Sequence, residues 1–286
     1  MPWIIYAVLA VALVAALVSP LAKPDKLVDQ FARTVNLAID SGNAERITQR
    51  VIRRQRASAV ATAAGSLALF GILLLAPDVA AGRPIGMIVI ATLALATAIG
   101  FGYAALTEVI DRPHDTVRVA RIPSATAPDY VPGYERWGGR VAASLAGLTG
   151  LGLAAINGAS GGWTTHAVLP GVLGCVSLIV LAAVELTSSR VVARPQPAGT
   201  TIDLAWDDAL RSSVLRDLYG AMIMGGCAVV AIELVLPAPG LPSMLTVVLP
   251  FAVVPLFLAV LVLGVVSRAS RPRLHYQRRL WSEMAS

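Results

Sequence analysis

Charge is what this chain has least of. Only 14% of its 286 residues are Asp, Glu, Lys or Arg, whereas 56% are hydrophobic and the mean hydropathy is +0.72. A soluble domain carries roughly a quarter charged residues, so disorder and an ordinary soluble globule are both excluded and the expected solvent is a bilayer. Cysteine is scarce too. Cys175 and Cys227 both fall inside apolar runs, with no CxxC or Cys/His cluster around them, so neither a disulfide framework nor a zinc site follows. The three histidines, His114, His166 and His275, are far apart and read as solvated side chains. HExxH, GxSxG, a Walker lysine and a glycine fingerprint between strand and helix are all missing. No catalytic, cofactor or metal residue is therefore assigned, and the chain reads as a non-enzyme.

What is present is long apolar runs rather than short alternating segments, which predicts an all-α transmembrane bundle and not a barrel. Seven runs are long enough to span: 2–22, 57–76, 85–107, 141–157, 167–187, 218–236 and 245–267. Placing the amino terminus outside puts 22 of the 23 Lys and Arg residues in the cytoplasm and leaves only Arg83 outside, as the positive-inside rule requires. A cleaved signal is the competing reading of the first run. It is disfavoured because no basic residue precedes that run and cleavage would strand the basic segment behind it outside. Trp3 and Trp163 fall at the outer boundaries, and Trp137, Trp206 and Trp281 at the inner ones, where an indole suits the headgroup layer. The net charge of +6 then reads as apposition to anionic lipid, with no nucleic-acid partner.

The plan is one helix followed by three hairpins with short outer turns at 77–84, 158–166 and 237–244, either a loose repeat or the ordinary look of a multi-pass protein. The ordered polar mass is cytoplasmic. In the segment 23–56, Leu27, Val28, Phe31, Val35, Ala38 and Ile39 form an amphipathic stripe that Gly42-Asn43 is expected to break before the basic stretch Arg46 to Arg56; residues 268–286 form a basic tail. Before the sixth run, Thr200 and Asp203 have capping-box spacing, and Trp206, Leu210 and Val214 share a face expected to lie on the membrane surface or dock a partner. Asp207 and Arg211 are spaced as a surface ion pair, and Asp203, Asp207 and Asp208 as a solvated face.

Small residues let membrane helices approach closely, and the fourth run carries them at every fourth position: Gly138, Ala142, Ala146, Gly150, Ala154 and Gly158. Both intramolecular packing and a homo-oligomer are open to this ridge. Pro250 and Pro255 should kink the seventh run. Of the acidic residues near the membrane, Glu108 is four residues from Arg112 and Glu185 sits at an inner end, so both should reach headgroup water. Glu233 lies about a turn inside its run on the stripe of Ala221 and Gly225, as an interhelical polar group or a transport site.

The Arg-over-Lys bias of 21 to 2 and the segment Trp206-Asp207-Asp208-Ala209-Leu210-Arg211 resemble uncharacterised multi-pass membrane proteins of actinobacteria. That resemblance implies a bacterial inner (plasma) membrane and no particular activity. The expected role is a non-catalytic component of a transport or envelope complex, with the lipid bilayer and a second copy or membrane-complex subunit as partners. A small secondary transporter using Glu233 and the kinked seventh run is the alternative. A lipid-interface enzyme with a loop His or Asp is a third.

Overall fold

The computed structural model describes residues 24–39, 41–75, 85–110, 125–161, 165–194, 201–235 and 274–281, together with the single positions 244, 248 and 255. The expected first span, nearly all of the seventh with its Pro250 kink, Trp3, Trp163 and the Glu108–Arg112 pair lie outside the described residues and side chains. The elements are α1 (Pro24–Val35), α2 (Ser41–Leu75), α3 (Ile85–Ile110), α4 (Ala127–Tyr130), α5 (Gly133–Gly161), α6 (Thr165–Ala193), α7 (Thr201–Val235) and α8 (His275–Leu280). No strand occurs among the described residues.

Three of these helices are long and apolar enough to cross a membrane: Gly133–Ser160 in α5, Val168–Ala193 in α6 and Thr201–Leu234 in α7. A shorter apolar stretch, Thr92–Thr107, lies in α3. The helices outrun the apolar runs that predict them. With 35 residues each, α2 and α7 are about 52 Å long, against a hydrocarbon core of about 30 Å. Each therefore carries a polar half beyond its apolar half, and the polar halves lie together at one end of the bundle.

The expected break at Gly42-Asn43 falls elsewhere. Those residues sit in the first turn of α2, and the chain turns at Asn36, whose φ of 53° is tolerated by asparagine better than by other side chains. Leu37 N–H then closes onto Ala32 O at 3.2 Å, which is the long hydrogen bond of a Schellman cap. The stripe reading of α1 is otherwise sound: Val28, Ala32 and Val35 are buried in the main apolar cluster. They pack on protein instead of on lipid.

Packing runs α2, α3, α7, α5, α6, with α6 returning to touch α7. Glycines set the closest approaches and reveal the directions. A Cβ on Gly65 would meet Ala96, and one on Gly100 would meet Ser58 and Ala61, so α2 and α3 are antiparallel. Gly138 lies against Ile223 and Gly226 against Ala142, so α5 and α7 run parallel; Gly147 against Leu178 and Gly171 against Ala154 make α5 and α6 antiparallel. Five of the six residues of the small-residue ridge of α5 pack against other helices of the chain. Gly138, Ala142, Ala146 and Gly150 meet α7 or α6, and Ala154 meets α6. Pro170 stands inside α6, and its carbonyl is among the atoms crowding Gly150.

At Gly226 an added Cβ would lie 2.7 Å from a backbone carbon of Ala142, which cannot move without parting two helices; at Gly152 it would meet nothing within 4 Å. Gly226→Ala is expected to cost about 1–3 kcal/mol through overpacking, and Gly152→Ala to be neutral or mildly stabilising. Thermal midpoints of the detergent-solubilised protein check the contrast.

Candidate functional site

Residues 206–217 of α7 form a polar hub at the end of the bundle where the long helices protrude. Between them, the polar residues of this stretch reach α2, α4, α5, α6, the turn after α1 and the α8 segment. Trp206 is fully buried and donates its indole N–H to Ala38 O at 2.9 Å, holding the turn between α1 and α2. Asp208, also fully buried, accepts Tyr130 O–H at 2.9 Å and Trp281 Nε1–H at 3.0 Å, which joins α4 to the α8 segment. Ser212 donates to Tyr130 O at 2.9 Å. Arg216 forms a two-pronged pair with Glu135 at the start of α5, at 2.8 and 2.9 Å. Asp217 meets Arg54 at 2.8 Å and Arg50 at 3.5 Å on α2. Arg54 also lies over the ring of Phe101 in α3, 5.0 Å from its centre.

Arg211 is the most deeply committed group. Its Nε donates to Asp207 Oδ2 at 2.7 Å, and Nη1 donates to the carbonyls of Val191 at 3.2 Å and Arg194 at 2.8 Å. The last carbonyls of a helix have no intrahelical donor and carry its negative end, so a guanidinium there satisfies both the hydrogen bonds and the dipole of α6. Both members of the Arg211–Asp207 pair are 2% exposed. Beside them, burial pushes the Tyr276 phenol up, with the Asp208 carboxylate adding to the shift, so the hydroxyl stays neutral.

Three expectations are corrected here. Trp206, Leu210 and Val214 do share a face, but that face is buried in the chain's own core and is not open to a membrane surface or a partner. Asp207–Arg211 is an i,i+4 pair, yet a buried one. Asp207 and Asp208 are not solvated. The tertiary partners responsible are α1, α4, α6 and α8, which a single-helix pattern does not contain. Of the tryptophans expected at inner boundaries, Trp137 is exposed, while Trp206 and Trp281 serve the hub. Glu185 is more than an interfacial carboxylate, because Arg140 grips it with two hydrogen bonds of 2.8 and 2.9 Å between α5 and α6.

Glu233 occupies a second polar place, where α5, α6 and α7 cross inside the apolar half. It is 1% exposed. Thr149 Oγ1 is hydrogen-bonded to its Oε2, and Oε1 has no hydrogen-bond partner among the described residues. A Cβ on Gly150 would overlap that oxygen, so the glycine makes room for the carboxyl group. Thr149 Oγ1 also lies 2.9 Å from Leu145 O. One hydroxyl proton can go to the carboxylate, or a protonated Glu233 can donate to the hydroxyl, which then donates to Leu145. The Thr149 hydroxyl therefore has a hydrogen-bonded arrangement for Glu233 with its proton and another for Glu233 without it. Sequence depth found Glu233; its threonine partner lies on another helix and gave no signal. Among the described residues no group of three or more His, Cys, Asp or Glu is placed to hold a metal.

Removing one half of a buried pair leaves the other half uncompensated, so Arg211→Met is expected to destabilise the protein by about 3–5 kcal/mol. Pairing it with Asp207→Asn should recover part of that loss, as a double-mutant cycle in denaturant would measure. Comparison with protein-family models, curated proteins and solved structures finds no match for this chain.

Proposed function

We propose that this chain is a non-catalytic, multi-pass component of a bacterial plasma-membrane complex for transport or envelope upkeep, with seven spans, its amino terminus outside and its polar hub in the cytoplasm. One observation carries the reading. The chemistry-bearing groups of the hub, Glu135, Asp207, Asp208, Arg211, Arg216 and Asp217, are turned onto other side chains and backbone groups of the same chain. Groups so consumed hold a shape; a reactive site keeps some of them turned toward a substrate. The basic residues on the hub side support the orientation through the charge rule. The amphipathic segments support a cytoplasmic body continuous with the membrane helices, and its outer surface is what a partner subunit would meet.

Gentle solubilisation of native membranes after mild cross-linking is expected to recover this chain with a fixed partner or a second copy. Recovery as a lone monomer would overturn the component reading. The topology has a separate check: a reporter active only outside the cytoplasm, fused after Arg56, is expected to be silent.

Glu233 favours a second reading, a small proton-coupled transporter. Its Oε1, without a hydrogen-bond partner among the described residues, and a Thr149 hydroxyl able to serve Glu233 with or without its proton are what such a site requires. Under that reading Glu233→Gln abolishes proton or substrate flux in reconstituted vesicles while leaving the fold intact. Unchanged flux assigns the carboxyl group to packing alone.

A further inference from the structure

The described arginine side chains of α2 divide between two sides of the helix. Arg50 and Arg54 face inward to Asp217, whereas Arg53 and Arg56 are exposed. These two stand at one end of a cleft of about 670 Å³ between α2 and α3. Beyond them the lining is apolar, with Val60, Ala64 and Ile99 along it, Tyr103 stands on α3 level with the arginine end, and no carboxylate is among the described lining residues. Val60, Ile99 and Tyr103 are each more than 60% exposed, although they are large and apolar or aromatic. The cleft is shallow because Gly100 brings α3 against Ala57 and Ser58 and leaves the flanking side chains to form its walls.

Polarity therefore changes along the cleft in one direction. The guanidinium groups lie toward the hub and the apolar walls run toward the middle of the bundle, as polarity changes across one leaflet. From Arg53 to Ala64 the helix rises about 16 Å, comparable with much of an acyl chain. Guanidinium groups match phosphate oxygens in charge and in forked geometry better than any other side chain, and an exposed apolar wall without charge is what a hydrocarbon chain fills. The cleft is thus complementary at both ends to one class of molecule.

We propose that this cleft binds an anionic glycerophospholipid from the leaflet on the hub side, with its phosphate on Arg53 and Arg56 and an acyl chain along Val60, Ala64 and Ile99. The proposal rests on the reading of the chain as membrane-embedded. It adds a lipid site distinct from the general attraction of basic residues to an anionic surface, because only two of the hub-side arginines line the cleft.

The full chain is reconstituted into phosphatidylcholine vesicles carrying a trace of a lipid with a photoactivatable acyl chain. The probe has a phosphatidylglycerol headgroup in one preparation and a phosphatidylcholine headgroup in the other, and adducts are mapped by peptide mass spectrometry. Expected are phosphatidylglycerol adducts at 57–64 and 99–103 exceeding phosphatidylcholine adducts by roughly tenfold or more, as two basic groups near a surface confer. The doubly substituted R53Q/R56Q protein should lose the preference, and R53K/R56K should keep most of it, which separates lost charge from lost fold. Equal labelling by the two probes would overturn the site while leaving the membrane reading standing. So would a spontaneous disulfide between Ala64→Cys and a cysteine placed in 2–22 or 245–267, because the chain itself would then fill the cleft. Absence of labelling by either probe anywhere in the chain would overturn the membrane reading and the site with it.

Discussion

A guanidinium group removed from water has to be met at its N–H groups, and Arg211 is met by an adjacent carboxylate and by the last carbonyls of another helix. The rest of the hub depends on that arrangement. It fixes the end of α6 against the polar half of α7, next to Asp208, Ser212 and Arg216, which reach α4, the α8 segment and α5. A desolvated charge pair contributes little net stability compared with an apolar replacement, but it penalises every arrangement in which it is unmade. In a bundle whose apolar half packs mainly through small and aliphatic side chains, that penalty, with those of the other ion pairs, favours one register.

The two halves of the molecule are therefore held by different physics. In the apolar half, glycine and alanine permit backbone approach, and Gly226 against Ala142 or Gly174 against Gly150 leaves no room for an added methyl group. In the polar half, directional contacts with named donors are laid over an apolar cluster that includes Val28, Val35, Trp206 and Val214. Helix α7 belongs to both, which is why a 35-residue helix is needed where about 20 residues would cross the membrane. Glu233 with Thr149, and Thr62 with Thr97, are directional contacts placed among non-directional ones.

The class of the fold was legible because apolar run length is a one-dimensional quantity, as was the small-residue ridge of α5, which needs only a period. Depth alone singled out Glu233. The hub was misread for a physical reason. A stripe such as Trp206, Leu210 and Val214 says that one face is apolar, without saying whether lipid, another protein or the same chain covers it. The acidic run beside it looked solvated because arginines flank it in sequence, whereas the donors to Asp208 come from Tyr130 and Trp281, 78 and 73 residues away. The turn at Asn36 was missed in favour of Gly42-Asn43 because glycine is the stronger general turn signal, and the Schellman bond that decides the matter belongs to the backbone.

The position of the hub late in the sequence has a consequence for biosynthesis. Residues 24–56 leave the ribosome well before 206–217, so Arg50, Arg54 and the apolar face of α1 exist for a time without Asp217 and Trp206 to receive them. During that interval the first polar segment is a cationic amphipathic peptide tethered next to a membrane, and it has every reason to adsorb there. Closing the hub then means peeling it off the bilayer. The final fold of the early segment is thus decided by a competition between lipid and a helix not yet made, and the outcome depends on how fast the chain is translated relative to how tightly that segment adsorbs.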